Sequence, residues 1–131
     1  MNDTKRILYI EDEKFFADTL NKLLSHAGYT VTIAEDGEKG LAVAKSEKPD
    51  LILLDIILPK VDGKEVLRQL KDDGETKGIP VIVLSNLNSE DDVKNMTKLG
   101  ALHFYVKALT MPTAILAVAK ETIGDAAATK V

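Results

Sequence analysis

Five short runs rich in Ile, Val and Leu, each followed by a stretch with helical spacing, constrain this 131-residue chain more than any other feature of it. The runs are Ile7–Ile10, Val31–Ala34, Leu51–Leu54, Val81–Leu84 and Leu102–Val106. The first, third and fourth are nearly continuous apolar stretches, the pattern of strands covered on both faces. In the second, Thr30 and Thr32 alternate with Val31 and Ile33, which reads as an edge strand. The fifth, with its His and Tyr, reads as more exposed.

The intervening stretches carry helix signals. Phe16, Leu20, Leu23, Leu24 and Ala27 form one apolar stripe that Gly28 ends. Leu41 and Ala44 mark a second helix that must stop near Pro49, and Val66, Leu67 and Leu70 a third that begins after Gly63. Ser89, with Asp92 three residues on, resembles a capping box; it opens a fourth helix carrying Val93, Met96 and Leu99 and ending at Gly100. The fifth runs from about Pro112, a natural first-turn residue, through Ile115, Leu116 and Ala119 to about Ile123.

Strand and helix alternating five times predict an α/β fold of three layers, a five-stranded parallel sheet between helices, because parallel neighbours need right-handed crossover connections. Two edge-like runs, the second and fifth, fit a doubly wound, flavodoxin-like order 2-1-3-4-5 with five helices. One domain over 1–124 is expected, then a short flexible tail over 125–131. The chain has no cysteine, so neither disulfides nor thiolate metal sites enter. A net charge of -4 argues against direct contact with nucleic acid. No stretch approaches the roughly 20 apolar residues of a membrane span, and Met1–Arg6 is unlike a signal peptide, so a cytoplasmic protein without membrane contact is expected.

In such a sheet, ligands bind beyond the carboxyl ends of the strands where the order reverses, here between the first and third. The first strand ends in Glu11, Asp12 and Glu13, the third in Asp55, the fourth in Ser85 and the fifth in Lys107. Converging carboxylates repel unless a cation intervenes, and a hard divalent ion such as Mg²⁺, or Mn²⁺, suits them and a substrate phosphate. Lys107 offers a compact positive charge and Ser85 a hydrogen bond to a phosphoryl oxygen, so Asp55 can act as a nucleophile that forms an aspartyl phosphate.

Four segments, Ile7–Glu13 (ILYIEDE), Pro49–Gly63 (PDLILLDIILPKVDG), Ile79–Asn86 (IPVIVLSN) and Val106–Lys107, resemble the blocks of response-regulator receiver domains, in the same order and spacing over nearly the whole chain. The resemblance implies phosphorylation of Asp55 by a sensor histidine kinase or a histidine phosphotransfer protein in Mg²⁺-dependent phosphorelay signalling. It implies a metal held by Asp12, Asp55 and the backbone carbonyl of Ile57, with Glu11 assisting through water, and a phosphoryl group read by Ser85 and Lys107. Ser85 and Phe104 would form the switch, and the face built by the fourth helix, fifth strand and fifth helix would meet a downstream protein. Such a domain is a signalling device that assists its own phosphorylation and dephosphorylation rather than an enzyme, acting as a monomer or a phosphorylation-dependent dimer, alone or excised from a longer protein.

Three positions depart from the family pattern. Glu11 stands where Asp is most frequent, Ala108 where a proline with a cis bond usually follows the lysine, and Phe104 where a tyrosine is common. A cis bond to a non-proline residue costs about 2.5–4 kcal/mol, so a trans bond and a rearranged loop are expected at Lys107–Ala108. Ile57 and Leu87 are apolar flanks of the phosphoryl position that should align attacking water poorly, giving a long-lived phosphorylated form. His26 and His103 read as surface histidines and Asp72–Asp73 as a solvated helix end.

Other readings fit less well. A haloacid-dehalogenase-type phosphatase needs a second acid two residues after the nucleophile, where Ile57 stands, and a flavin carrier's phosphate loop would not hold three acids after the first strand. A pseudo-receiver acting as a phosphate-independent interaction module remains the alternative.

Overall fold

A computed structural model describes residues 4–126. The strands are β1 (Arg6–Ile10), β2 (Thr30–Ala34), β3 (Leu51–Leu54), β4 (Val81–Ser85) and β5 (His103–Val106). Alternating with them are α1 (Lys14–His26), α2 (Gly37–Glu47), α3 (Gly63–Asp72), α4 (Glu90–Leu99) and α5 (Pro112–Ile123). All pairings are parallel and the order is β2-β1-β3-β4-β5, so the two edge-like runs are the edges, as the sequence predicts. The fifth strand begins one residue later than expected: the Leu102 amide still donates to Val81 at 2.8 Å, but its side chain is exposed.

The sheet has a core on each face because successive strand residues point to opposite sides. Leu8, Ile10, Ile52, Leu54, Val81 and Val83 pack with Leu41, Ala44, Val66, Leu67, Leu70 and Met96 of α2, α3 and α4. Ile7, Tyr9, Leu51, Leu53, Ile82 and Leu84 pack with Leu20, Leu24, Ile115 and Ala119 of α1 and α5. Burial on both faces explains why the three inner strands read as unbroken apolar runs.

Local chemistry sets the helix ends. Asp36 accepts from the Lys39 amide at 2.8 Å and Asp62 from the Glu65 amide at 3.1 Å, which caps α2 and α3. Ser89 and Asp92 form the expected capping box, and α4 stops at Gly100 with a φ of 112° that a side chain would resist. Beyond α5 the chain stays docked through Ala126, whose carbonyl accepts the Lys5 amide at 2.7 Å; the rest of the expected tail, 127–131, lies outside the described residues.

Candidate functional site

β1 and β3 stop side by side, Ile10 opposite Leu54, and the next residue on each is an acid. The Asp55 amide donates to the Ile10 carbonyl at 3.1 Å, which holds the end of β3 against β1 and sets Asp55 beside Glu11 where the strand order reverses. Asp55 Oδ1 accepts the Ile57 amide at 3.2 Å, so this carboxylate is oriented by its own loop. From behind, α3 approaches closely. A Cβ on Gly63 would lie 2.3 Å from the Asp55 carbonyl oxygen, so only glycine lets the Asp62–Gly63 turn pack against the acid's backbone.

Lys107 reaches this rim from the other side. It follows β5 directly and opens a one-turn 3-10 helix, Lys107–Leu109. Its ammonium stands 2.8 Å from Asp55 Oδ2, 2.8 Å from Glu11 Oε1 and 4.0 Å from Glu13 Oε1. The same nitrogen lies 4.8 Å from the centroid of the Phe16 ring on α1. Glu11 Oε1 also accepts the Tyr9 hydroxyl at 2.8 Å, while Oε2 accepts the Glu13 amide at 3.1 Å. Two buried acids are thus bridged by one buried cation, the arrangement that keeps ions tolerable inside a protein.

The electrostatics follow from this packing. Burial pushes the Glu11 carboxyl up, and the Asp55 charge adds to it, against the hydrogen bonds from Lys107 and Tyr9. Burial pulls Lys107 down, but its hydrogen bonds and charges shared with Asp55 and Glu11 outweigh that and hold it above the ordinary lysine value. Burial, and then Glu11, push the Tyr9 phenol up strongly. The cluster therefore keeps a protonated lysine and a neutral tyrosine next to its acids at physiological pH.

Glu11, Asp12 and Asp55 each offer a carboxylate oxygen, and these oxygens lie within 4.8 Å of one another. Asp12 is exposed and the other two are buried, so the group is open on one side. An all-oxygen set with open positions suits Mg²⁺ or Mn²⁺, and the residues present fit such an ion. In front of the acids lies a cleft of about 550 Å³ lined by Asp12, Asp55, Ile57, Asn86 and Lys107 among others.

Of the residues singled out from the sequence, Glu11, Asp12, Asp55 and Lys107 come together. Ser85 is buried at the end of β4, opposite Val106, and its Oγ accepts the Leu87 amide at 3.3 Å. Phe104 packs against the core beneath α4, and Tyr105 against the opposite core, as strand alternation requires. Ile57 is 59% exposed and lines the cleft, and Leu87 is 37% exposed. No cis peptide occurs among the described residues, so the Lys107–Ala108 bond is trans, as expected.

Four contributors escaped the sequence reading: Tyr9, Phe16, Gly63 and Asn86. Tyr9 had a usable signal, since it lies two residues before Glu11, which stands just past the end of β1, and extended chain puts both on one face. Asn86, whose Oδ1 accepts the Ala108 amide at 2.7 Å, had none, because 22 residues separate the two.

Residues 7–119 match the family model of the response regulator receiver domain. The chain is 33% identical over 123 residues to the polar-differentiation response regulator DivK of Brucella ovis, a match covering 94% of this chain and 99% of that protein. It is 40% identical over 103 residues to the alkaline phosphatase synthesis transcriptional regulatory protein PhoP of Bacillus subtilis, covering 79% of this chain but only 42% of PhoP. Its fold resembles that of a CheY-like response regulator receiver domain protein from Methanospirillum hungatei, with a TM-score of 0.85 and 29% identity over 92% of this chain and 94% of the other.

Proposed function

The chain belongs to the response regulator receiver domain family, and from that premise we propose that Asp55 accepts a phosphoryl group from a phosphohistidine, with Mg²⁺ or Mn²⁺ held beside it by Glu11, Asp12, Asp55 and the Ile57 carbonyl. The observation that carries this reading is the bridge of Lys107 to both Asp55 and Glu11, next to the exposed carboxylate of Asp12. An oxygen of Asp55 attacks phosphorus, the bond from phosphorus to the donor imidazole nitrogen breaks, and its electron pair stays with the imidazole. The ion, when bound, neutralises charge on the phosphoryl oxygens.

The chain's own residues do the rest. Asp55 is held by the Ile57 amide and by its own backbone bond to Ile10, so the nucleophile needs little reorientation. Once Asp55 is phosphorylated its charge moves outward to the phosphoryl oxygens, and the Lys107 ammonium follows it. Ser85 turns its hydroxyl from the Leu87 amide toward a phosphoryl oxygen, and the space it leaves lets Phe104 shift inward. That shift biases a two-state equilibrium and remodels the face of α4, β5 and α5 for a downstream protein. Ile57 and Leu87 bring no polar atom of their side chains to align water, which keeps the phosphorylated form long-lived.

The donor is a sensor histidine kinase or a histidine phosphotransfer protein. No described helix is long and apolar enough to cross a membrane, and we place the reaction in the cytoplasm, with the domain a monomer or a phosphorylation-dependent dimer. Acetyl phosphate with Mg²⁺ should add one phosphoryl mass to the wild type and none to Asp55→Asn; equal labelling of both would refute the assignment.

A further inference from the structure

We propose that Asn86 is a positioning residue for Lys107, its side-chain carbonyl holding the backbone from which the lysine reaches the rim. The inference rests on the reading of Asp55 as the phosphate acceptor. Asn86 Oδ1 accepts the Ala108 amide at 2.7 Å. Asn86 follows Ser85, the last residue of β4, and Ala108 follows Lys107, the first residue after β5. Ser85 and Val106 are paired neighbours, so the contact ties the two strands together just past the end of their ladder.

The first amides of a helical turn have no partner inside it, and Ala108 stands in the first positions of the turn that Lys107 opens. Asn86 supplies the missing acceptor. The turn is otherwise fastened by the Thr110 hydroxyl, which donates to Val106 at 2.7 Å, and by a long 3.5 Å bond from the Thr110 amide to Lys107. A lysine side chain is a flexible four-carbon stem, so the arc its ammonium sweeps is fixed by where its backbone is held. Asn86 fixes that origin and lines the same cleft as Asp12, Asp55 and Lys107. The contact is peculiar to a chain with an amide at this position. A proline after the lysine, the usual residue in the family, would have no N–H to give.

The test is a double-mutant cycle on the full chain with Asn86→Ala, Ala108→Pro and both together, read by the affinity for beryllofluoride in Mg²⁺ and, where Ala108 is kept, by exchange of its amide. Asn86→Ala should weaken beryllofluoride binding about fivefold and speed Ala108 exchange by about as much, the worth of one hydrogen bond. Ala108→Pro should weaken binding similarly, and adding Asn86→Ala to it should weaken it no further. Affinity for Mg²⁺ alone should move less than about twofold in Asn86→Ala, because the carboxylates are untouched. Effects that simply add, or unchanged Ala108 exchange with unchanged beryllofluoride affinity, would overturn the role of Asn86 while leaving Asp55 in place. A wild type that takes up no beryllofluoride would remove the reading of Asp55, and this inference with it.

Discussion

The Lys107 ammonium lies 2.8 Å from Asp55 Oδ2, inside the sheet rim and nearly out of reach of solvent. At the same 2.8 Å it bonds Glu11 Oε1, so one cation bridges two buried acids and offsets half of their charge. On the proposed reading, a divalent ion held by the same acids would compete with the lysine for that charge.

That competition is measurable. Lys107→Met should be destabilised in chelator by about 3–5 kcal/mol, since breaking a buried pair leaves acids uncompensated. It should also bind Mg²⁺ about tenfold more tightly than the wild type, a coupling of about 1.4 kcal/mol. Urea melts with and without Mg²⁺ read both effects; an unchanged or weaker Mg²⁺ affinity would show that the lysine does not guard the acids.

Tyr9 donates to the same Glu11 oxygen that Lys107 contacts. Tyr9→Phe should cost about 1.5–3 kcal/mol, the value of a hydrogen bond to a charged group. The Tyr9 phenol stands above its ordinary value of 10.0, first through burial and then through Glu11. The folded state thus keeps a proton that the unfolded chain releases. This stabilisation is fully present below about pH 10 and is lost as pH rises further. Denaturation followed from pH 8 to 11 should show a steeper alkaline fall for the wild type than for Tyr9→Phe.

Gly63→Ala tests the close approach behind Asp55. The new Cβ would meet the Asp55 carbonyl oxygen at 2.3 Å and the Ile56 Cα at 2.4 Å, both backbone atoms that cannot swing aside. Overpacking of this kind costs about 1–3 kcal/mol. Displacing Asp55 should also weaken beryllofluoride binding, so a stable variant with wild-type affinity would contradict the geometry.

Ser89→Ala removes the cap of α4, worth about 1 kcal/mol in urea at pH 7. Hydrogen bonding from Ser89, with Lys64 nearby, holds Asp92 below its ordinary value of 3.8. A depressed carboxyl contributes stability that is present above that value and is lost as pH falls through the lower folded one. The gap between wild type and variant should therefore narrow in melts repeated at pH 3; a constant gap would mean that Asp92 does not take part.

The fold was legible because its signals are local or periodic. Unbroken apolar runs marked β1, β3 and β4 as inner strands, and Gly28, Ser89, Gly100 and Pro112 marked helix ends. The acids and the lysine were legible because strand order alone brings strand ends to one rim. What could not be read depends on side-chain reach across loops. Phe16 fitted the apolar stripe of α1 and gave no hint that its ring would lie by Lys107. Asn86 and Ala108 meet only because β4 and β5 end level, and neither residue advertises a partner.

The most direct test of the account is uptake of beryllofluoride in Mg²⁺ by the wild type and by Asp55→Asn, followed through backbone amide shifts. Saturable, Mg²⁺-dependent changes at Asp55, Ser85, Phe104 and Lys107 in the wild type, absent from Asp55→Asn, are the predicted result. A wild type whose spectrum does not respond, or responds equally after the substitution, would contradict it and leave a phosphate-independent interaction module.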